Sequence, residues 1–211
     1  METSRLIEVL GRDGAAGAAS MRRVWVAALA AAIALAAVVF FPTIGPRPDF
    51  MAAAGTLRFL FKFVVTLSLL ATALWALSAL ARPGQSSRWL YLLAIPPALL
   101  LLAAVAEMMV VPAGQLRMLW EGKNALVCLT WIPLIGLGPL VAFIVGLRQG
   151  APTNPGFAGA VAGLVAGGVA ATFYAAHCTD DSPLFVATWY TIAIAGLALL
   201  GALGGRLVAR W

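Results

Sequence analysis

The chain has 211 residues, of which 63% are hydrophobic and only 10% charged, and its formal net charge is +6. Soluble domains carry about a quarter charged residues, so a water-soluble fold cannot bury this much apolar surface. The basic residues are dispersed and form no contiguous stripe, which argues against direct binding of nucleic acid. The sequence contains no Walker, zinc-protease, Gly-x-Ser-x-Gly or dinucleotide-binding pattern, so we do not expect an enzyme.

Six apolar segments have the length of about 20 residues that a helix needs to cross roughly 30 Å of hydrocarbon. Short connections rich in Pro and Gly separate them. We therefore expect an all-α fold, a polytopic membrane protein with a six-helix transmembrane bundle in residues 24–211 after an N-terminal segment in residues 1–23. The predicted spans are approximately 24–41, 59–80, 89–111, 125–146, 157–176 and 185–206.

The first apolar segment could also be a cleaved secretory signal, because Met21-Arg22-Arg23 precedes a run of Ala and Val. However, 20 residues precede that motif, and no small-x-small cleavage pattern follows Phe40-Phe41-Pro42. We therefore expect a first transmembrane helix.

The basic residues also predict the orientation, since Lys and Arg in short loops stay on the cytoplasmic side of a membrane. With the N-terminus inside, nine of the 14 basic residues lie on the cytoplasmic side and five on the other. We therefore expect both termini in the cytoplasm.

Helix packing is predicted by two local patterns. Gly159, Gly163 and Gly167 share one face of the fifth span and allow close approach of another helix, which we expect to belong to the same bundle. Pro96 and Pro97 are expected to kink the third span.

The chain has two cysteines, Cys128 and Cys178, and one histidine, His177. The predicted topology places both thiols on the non-cytoplasmic side, where the space is oxidising. With Asp180 and Asp181 nearby, a redox site or a soft-metal site at Cys128, Cys178 and His177 is chemically feasible. The competing interpretation is that Cys128 is a small apolar residue in helix packing and His177 an interfacial polar residue.

Two other functions receive little support from the sequence. A thiol oxidoreductase needs a redox pair and a relay, commonly as Cys-x-x-Cys, and no such motif is present. An ion or solute pathway is usually marked by charges inside the spans, whereas here Lys62 and Glu107 lie near span ends.

The N-terminal segment predicts a short amphipathic helix in which Leu6, Val9 and Leu10 form one apolar edge, followed by a flexible tether at residues 14–20. A helix of about eight residues is marginal in water, so something must bury that edge. The membrane surface, the loops of the bundle and a protein partner all remain open.

The sequence resembles the membrane-embedded anti-sigma factors related to the negative regulator of sigma F (NrsF) of proteobacteria. The resemblance is densest in the last third of the chain and extends over nearly all of it. Its matching segments are residues 150–167, 174–185, 189–190, 210–211, 3–13, 47–49 and 81–84, with Lys62 and Cys128. One departure is Thr179, where many relatives are expected to have proline.

The resemblance implies a bacterial inner-membrane protein that sequesters an extracytoplasmic-function sigma factor and releases it on heavy-metal or oxidative stress. It implies that Cys128 and Cys178 are the sensor thiols, that no cofactor is required beyond transient heavy-metal binding at the cysteines, and that the partners are the sigma factor and the lipid bilayer. The predicted sigma-factor contacts are Leu6, Ile7, Val9, Leu10, Arg82 and Arg88.

The sequence does not distinguish metal binding, disulfide formation and disulfide breakage as the signal. A small-solute transporter and a structural membrane subunit are the alternative functions.

Overall fold

The computed structural model describes the backbone of residues 3–82 and 87–208 and the side chains of residues 21–82 and 90–207. Within these ranges the chain forms helices and turns and contains no strand, which confirms the all-α prediction for the described residues. The helices are α1 (Thr3–Thr43), α2 (Phe50–Ala53), α3 (Leu57–Leu80), α4 (Ile95–Val110), α5 (Ala113–Glu121), α6 (Ala125–Leu147), α7 (Pro155–Ala175), α8 (Pro183–Phe185) and α9 (Thr191–Val208).

Six helical stretches in the described ranges are long and apolar enough to cross a membrane. Each overlaps one of the six predicted spans, and the prediction of six helices with the length and polarity of membrane spans is confirmed. They are Met21–Thr43, Leu57–Leu80, Leu90–Val110, Ala113–Leu147, Pro155–Ala175 and Pro183–Leu207. The fourth stretch is longer than predicted because it includes α5, a helix of nine residues where the sequence predicts a loop.

The third span changes its helix type along its length. A 3₁₀-helix at Ser87–Ala94 leads into α4, which begins at Ile95. Pro96 and Pro97 therefore lie in the first turn of α4. A missing N–H is harmless there because the first helical N–H groups have no partner within the helix. The two prolines thus begin an α-helix and do not kink a continuous one.

The bundle is built around α7, which packs against α9, α3, α6 and α1. Small residues make this possible: a Cβ on Gly159 would collide with the carbonyl oxygen of Gly201, and one on Gly163 would collide with the backbone of Leu197. A Cβ on Gly167 would meet the side chain of Ile194. All three glycines of the predicted stripe therefore face α9 in the same chain, as expected.

Helix α1 extends beyond the first span toward the N-terminus. Its backbone is helical from Thr3 to Thr43, including residues 14–20, where the sequence predicts a tether. Four of these seven residues are alanine, which has the highest helix propensity and favours continuation of the helix from the first span, whereas Gly14 and Gly17 oppose it. The side chains of Leu6, Ile7, Val9 and Leu10 lie outside the described residues, and the separation of residues 1–23 from the bundle stays a prediction.

The connections at residues 44–56, 111–124 and 176–182 lie at one end of the bundle, here named the thiol end. Two glycines in these connections have a positive φ: Gly45 at 56° and Gly122 at 60°. Gly122 joins α5 to α6, and a Cβ at this position would collide with the ring of Phe185. Glycine is therefore required there both by backbone conformation and by packing.

Candidate functional site

The two thiols lie at the thiol end. Cys128 is in the first turn of α6, where its N–H donates to the carbonyl of Asn124 at 2.7 Å. Cys178 follows α7, and its N–H donates to the carbonyl of Tyr174 at 2.9 Å. Both are free cysteines with no solvent-exposed surface, and both belong to the same cluster of core residues.

Two tyrosines complete the surroundings of the thiols. Tyr174 and Tyr190 are buried, with their ring centroids 5.6 Å apart, and the hydroxyl of each lies near the thiol of Cys178. Neither hydroxyl makes a hydrogen bond of good geometry to a described residue. Tyr190 ends a π-helical segment, Val186–Tyr190, which widens the start of the sixth span at this point.

Asp180 connects the loop at residues 176–182, here named the Cys178 loop, to the helix that carries Cys128. Its Oδ2 accepts hydrogen bonds from the backbone N–H of Lys123 at 3.0 Å and of Asn124 at 2.8 Å, and from the Asn124 side-chain amide at 2.9 Å. A carboxylate at the N-terminal end of α6 also interacts favourably with the helix dipole. The position of Cys128 is therefore tied to the Cys178 loop through Asp180.

The next residue, Asp181, connects the Cys178 loop to the first two spans. Its carboxylate pairs with Lys62 of α3 at 2.5 Å and with Arg47, which follows α1, at 3.0 Å. Lys62 has no exposed surface and also donates to the carbonyl of Cys178 at 2.8 Å. Arg47 additionally pairs with Asp49 at 2.6 Å. Lys62 and Arg47 thus fix the Cys178 loop at Asp181, and Lys62 also fixes it at the carbonyl of Cys178.

Glu107, near the end of α4, connects the Cys178 loop to the third span. Its Oε2 accepts from the hydroxyl of Ser182 at 2.5 Å and from the N–H of Leu184 at 3.1 Å. Arg58 of α3 pairs with the other carboxylate oxygen at 3.1 Å. Since Leu184 lies in the first turn of the sixth span, the buried carboxylate of Glu107 fixes the start of that span relative to the third.

Burial determines the protonation of the loop thiol. Desolvation raises the pKa of Cys178 above its usual value, although the positive charge of Lys62 acts in the opposite direction. The thiol is therefore protonated at neutral pH. Since the thiolate is the reactive form, Cys178 should react slowly with water-soluble reagents until the loop opens.

His177 contacts the turn after α1. Its Nδ1 lies 2.9 Å from the carbonyl oxygen of Gly45, in the turn after α1. No group of three or more His, Cys, Asp and Glu side chains that could hold a metal ion is present among the described side chains. Metal binding at Cys128, Cys178 and His177 stays a prediction, and the contact with Gly45 leaves Nε2 of His177 as the nitrogen that could serve as a ligand.

The predicted sigma-factor contacts are not brought together by the described structure. Arg82 follows α3 and is half-buried at the end of the bundle opposite the thiols. The side chains of Leu6, Ile7, Val9, Leu10 and Arg88 lie outside the described residues.

Sequence reasoning does not find the polar residues that surround the thiols. The sequence identifies Lys62 and Glu107 only as charges near span ends, and Asp180 and Asp181 only as neighbours of Cys178. For Lys62 and Glu107 the signal is an ionisable residue within an apolar helix, since such a group needs a partner.

The contacts of Asp180 lead to a stability prediction. Replacing Asp180 by Ala removes three hydrogen bonds and leaves the N–H groups of Lys123 and Asn124 without this acceptor, so we expect a loss of about 1–3 kcal/mol in the free energy of unfolding. Unfolding of the purified protein in detergent measures it. Glu121→Ala is the matched control, because among the described residues this exposed carboxylate pairs with Arg117 of the same helix, and its loss should change stability by less than about 0.5 kcal/mol. Equal stability of the two variants would contradict the role assigned to Asp180.

The fold and this site define a helical protein with six candidate membrane spans and a buried thiol pair at one end of the bundle. The family described as "Negative regulator of sigma F" (NrsF) matches residues 11–211. The anti-sigma-F factor NrsF of Caulobacter vibrioides (strain NA1000 / CB15N) is 33% identical over 216 residues, covering 100% of both chains. The probable anti-sigma-F factor NrsF of Azospira oryzae (strain ATCC BAA-33 / DSM 13638 / PS) is 29% identical over 218 residues, again covering 100% of both.

No solved structure matches the chain. The chain belongs to the NrsF family, and the resemblance described from the sequence is confirmed.

Proposed function

We propose that this protein is an inner-membrane anti-sigma factor: it sequesters an extracytoplasmic-function sigma factor at the cytoplasmic side and releases it when Cys128 and Cys178 bind a heavy-metal ion or are oxidised. The two relatives are named as an anti-sigma-F factor and a probable one, and both align over the full chain. The excess of basic residues at the end opposite the thiols supports a cytoplasmic location for that end, with the thiols on the outer side.

The observation that carries the sensing part of the proposal is the connectivity of the Cys178 loop. The loop is bonded to all the other spans, or to the turn beside each of them, through the side chains described above. The contacts are those of Gly45 and Arg47 after the first span, Lys62 in the second, Glu107 in the third and Asn124 before the fourth, while α7 and α8 are its chain neighbours. A change at one sulfur atom therefore acts on the whole outer end of the bundle.

Two thiols in one buried cluster suit both signals chemically. Soft cations such as Cd²⁺ prefer thiolate ligands, and their binding displaces the two thiol protons. A two-electron oxidant instead joins the sulfur atoms in a disulfide and removes the same two protons. Both thiols are free in the described state, which supports a signal that links them over one that breaks an existing bond.

Linking the sulfur atoms changes the position of the Cys178 loop relative to α6 and disturbs the contacts of Asp180 and Asp181. Because packed helices move as rigid units, a displacement at the thiol end reaches the other end of the bundle. A coupling free energy of about 1–3 kcal/mol is enough to change sigma-factor affinity by roughly 5- to 150-fold.

The partner site is proposed for the N-terminal segment, assisted by Arg82 and Arg88. An apolar edge formed by Leu6, Ile7, Val9 and Leu10 is the kind of surface that docks into a groove of a folded partner. The matching family region begins at residue 11, so this edge lies just before it.

Co-purification tests the partner site. We expect a sigma factor to co-purify with the full-length protein from detergent extracts, and Leu6→Asp or Leu10→Asp to reduce recovery at least about tenfold, since a charge in a buried apolar contact costs more than about 1.4 kcal/mol. Ala15→Asp introduces the same charge outside the predicted edge and should retain binding. If no sigma factor is recovered with the wild-type protein, the anti-sigma function is wrong; if Leu6→Asp binds normally, the partner site lies elsewhere.

A further inference from the structure

An open groove of about 670 Å³ runs along the outer surface of the bundle between α1 and α6. Its walls include exposed apolar residues: Ala27, Ala31 and Leu35 of α1 and Val141 and Val145 of α6. The short side chains of the two alanines leave the space between the helices unfilled. In the membrane setting proposed above, this groove faces lipid.

The groove is about as long as one leaflet of a bilayer. Along α1 it extends from Arg23 to Leu35, which is about 18 Å at 1.5 Å per residue. It ends where Leu35 meets Gly138 of α6, since a Cβ on Gly138 would lie 3.0 Å from the Cβ of Leu35. One leaflet contributes roughly 15 Å of hydrocarbon. A transmembrane helix of a partner would contact the bundle through both leaflets, whereas a lipid chain occupies one. The length of the groove therefore favours a lipid chain.

The polar side chains of the groove lie at one end of it. They are Arg23 and Gln149, at the end of the bundle opposite the thiols, and the rest of the lining is apolar. In the orientation proposed above, this end lies at the cytoplasmic interface of the membrane, where lipid headgroups are found. A ligand with one polar head and an apolar chain matches this arrangement, because the two polar groups fix the position of its head.

The charge at this end favours an anionic headgroup. Two further exposed arginines, Arg22 and Arg148, directly precede the two polar residues of the groove. Among the side chains that the structure describes, carboxylates are found only at the thiol end, in Asp49, Glu107, Glu121, Asp180 and Asp181. A guanidinium pairs well with a phosphate, because its planar N–H groups match two phosphate oxygens. This end of the groove therefore combines a phosphate-binding side chain with an excess of positive charge, which favours an anionic over a zwitterionic phospholipid.

We propose that the groove between α1 and α6 binds one anionic phospholipid of the cytoplasmic leaflet. The guanidinium of Arg23 donates to the phosphate oxygens, and the side-chain amide of Gln149 donates to another oxygen of the headgroup. One acyl chain lies along Ala27 and Ala31. The proposal rests on the orientation of the protein in the membrane proposed above, and it is independent of the sigma factor and of the thiols.

The test uses the purified full-length protein in detergent and two phospholipids with the same acyl chains, phosphatidylglycerol and phosphatidylcholine. Native mass spectrometry counts the lipid molecules bound and gives their affinity. We expect one phosphatidylglycerol to bind at least about fivefold more tightly than phosphatidylcholine, since each basic residue near a headgroup favours the anionic lipid by about this factor. A phosphatidylglycerol with a photoreactive diazirine in its chain should label residues 27–35 and 141–145. Equal affinity for the two lipids, or labelling confined to other helices, would overturn the proposal.

Two pairs of matched variants on α1 test the site. Arg23→Gln should weaken phosphatidylglycerol binding at least about fivefold, whereas Arg22→Gln removes the same charge outside the groove lining and should change it by less than about twofold. Ala31→Phe fills the groove and should weaken binding and labelling, while Ala30→Phe adds the same ring at an exposed position outside the lining and should bind like the wild type. If neither Arg23→Gln nor Ala31→Phe weakens binding, the groove is not the site.

The same spectra distinguish a lipid from a second copy of the chain, whose helix is the other candidate for a groove lined by alanines. Dimers that are lost in Ala31→Phe would assign the groove to a second copy and overturn the lipid site. Arg23→Gln adds no bulk, so it tests the site even if Ala31→Phe fails to fold. None of these measurements uses the sigma factor, so absence of a sigma-factor partner would overturn the proposed function and leave the lipid site standing.

Discussion

Replacing either Cys128 or Cys178 by Ser should abolish release of the sigma factor under cadmium or oxidant stress while leaving sequestration in unstressed cells intact. Serine has nearly the same volume as cysteine but neither binds soft cations tightly nor forms a disulfide. Since both sulfur atoms are needed to form the link, each single variant should be as unresponsive as the double variant. A reporter gene under control of the sigma factor should lose its whole stress-dependent increase, expected to be about 5- to 150-fold.

Thr130→Ser is the matched control, because it changes an exposed hydroxyl side chain two residues after Cys128 on the same helix. It should respond to stress like the wild type. If Cys128→Ser or Cys178→Ser still releases the sigma factor normally, the thiols are packing residues and the sensor proposal is wrong.

Removing the charge of Asp181 should have the largest effect on stability among the polar residues of the thiol end. Asp181→Asn leaves the fully buried ammonium of Lys62 without its carboxylate, and breaking a buried ion pair on one side costs about 3–5 kcal/mol. Unfolding of the purified variant in detergent should show that loss. The contacts of the Cys178 loop are proposed to hold the state that binds the sigma factor. Asp181→Asn should therefore also raise the activity of the sigma-factor-dependent reporter in unstressed cells.

Adding Lys62→Met to Asp181→Asn should recover part of the lost stability, since the unpaired buried cation is then replaced by an apolar side chain of similar length. Asp49→Asn is the control, because it removes the other carboxylate partner of Arg47, and the Asp49 side chain is 55% exposed. This change should cost less than about 1 kcal/mol. If the double variant loses as much free energy of unfolding as Lys62→Met and Asp181→Asn lose together, a direct interaction between Lys62 and Asp181 is contradicted.

Much of the architecture could be predicted because hydrophobic length alone determines where a helix can cross a bilayer. The positions of the spans are sufficient to place Cys128 and Cys178 at the same end of the bundle, because the chain crosses twice, through the fourth and the fifth span, between these two residues. The stripe of Gly159, Gly163 and Gly167 likewise predicted close packing, because its spacing of four residues repeats on one helix face.

The polar contacts of the thiol end could not be predicted in the same way. Lys62 donates to a carbonyl 116 residues later in the chain, and Ser182 donates to a carboxylate 75 residues earlier. No local pattern records such pairings, because they depend on which spans become neighbours. The helix α5 also has no clear signal in the sequence, since its nine residues are too few and too mixed in polarity to form a separate apolar segment.

The most direct test of the sensor account is the affinity of the full-length protein for its co-purifying sigma factor, measured in proteoliposomes with and without cadmium under reducing conditions. We predict tight binding by the cadmium-free protein, a decrease in affinity of at least about fivefold on cadmium addition, and no change for Cys178→Ser. Affinity that is independent of cadmium, or that changes equally in Cys178→Ser, would contradict a thiol-controlled anti-sigma factor.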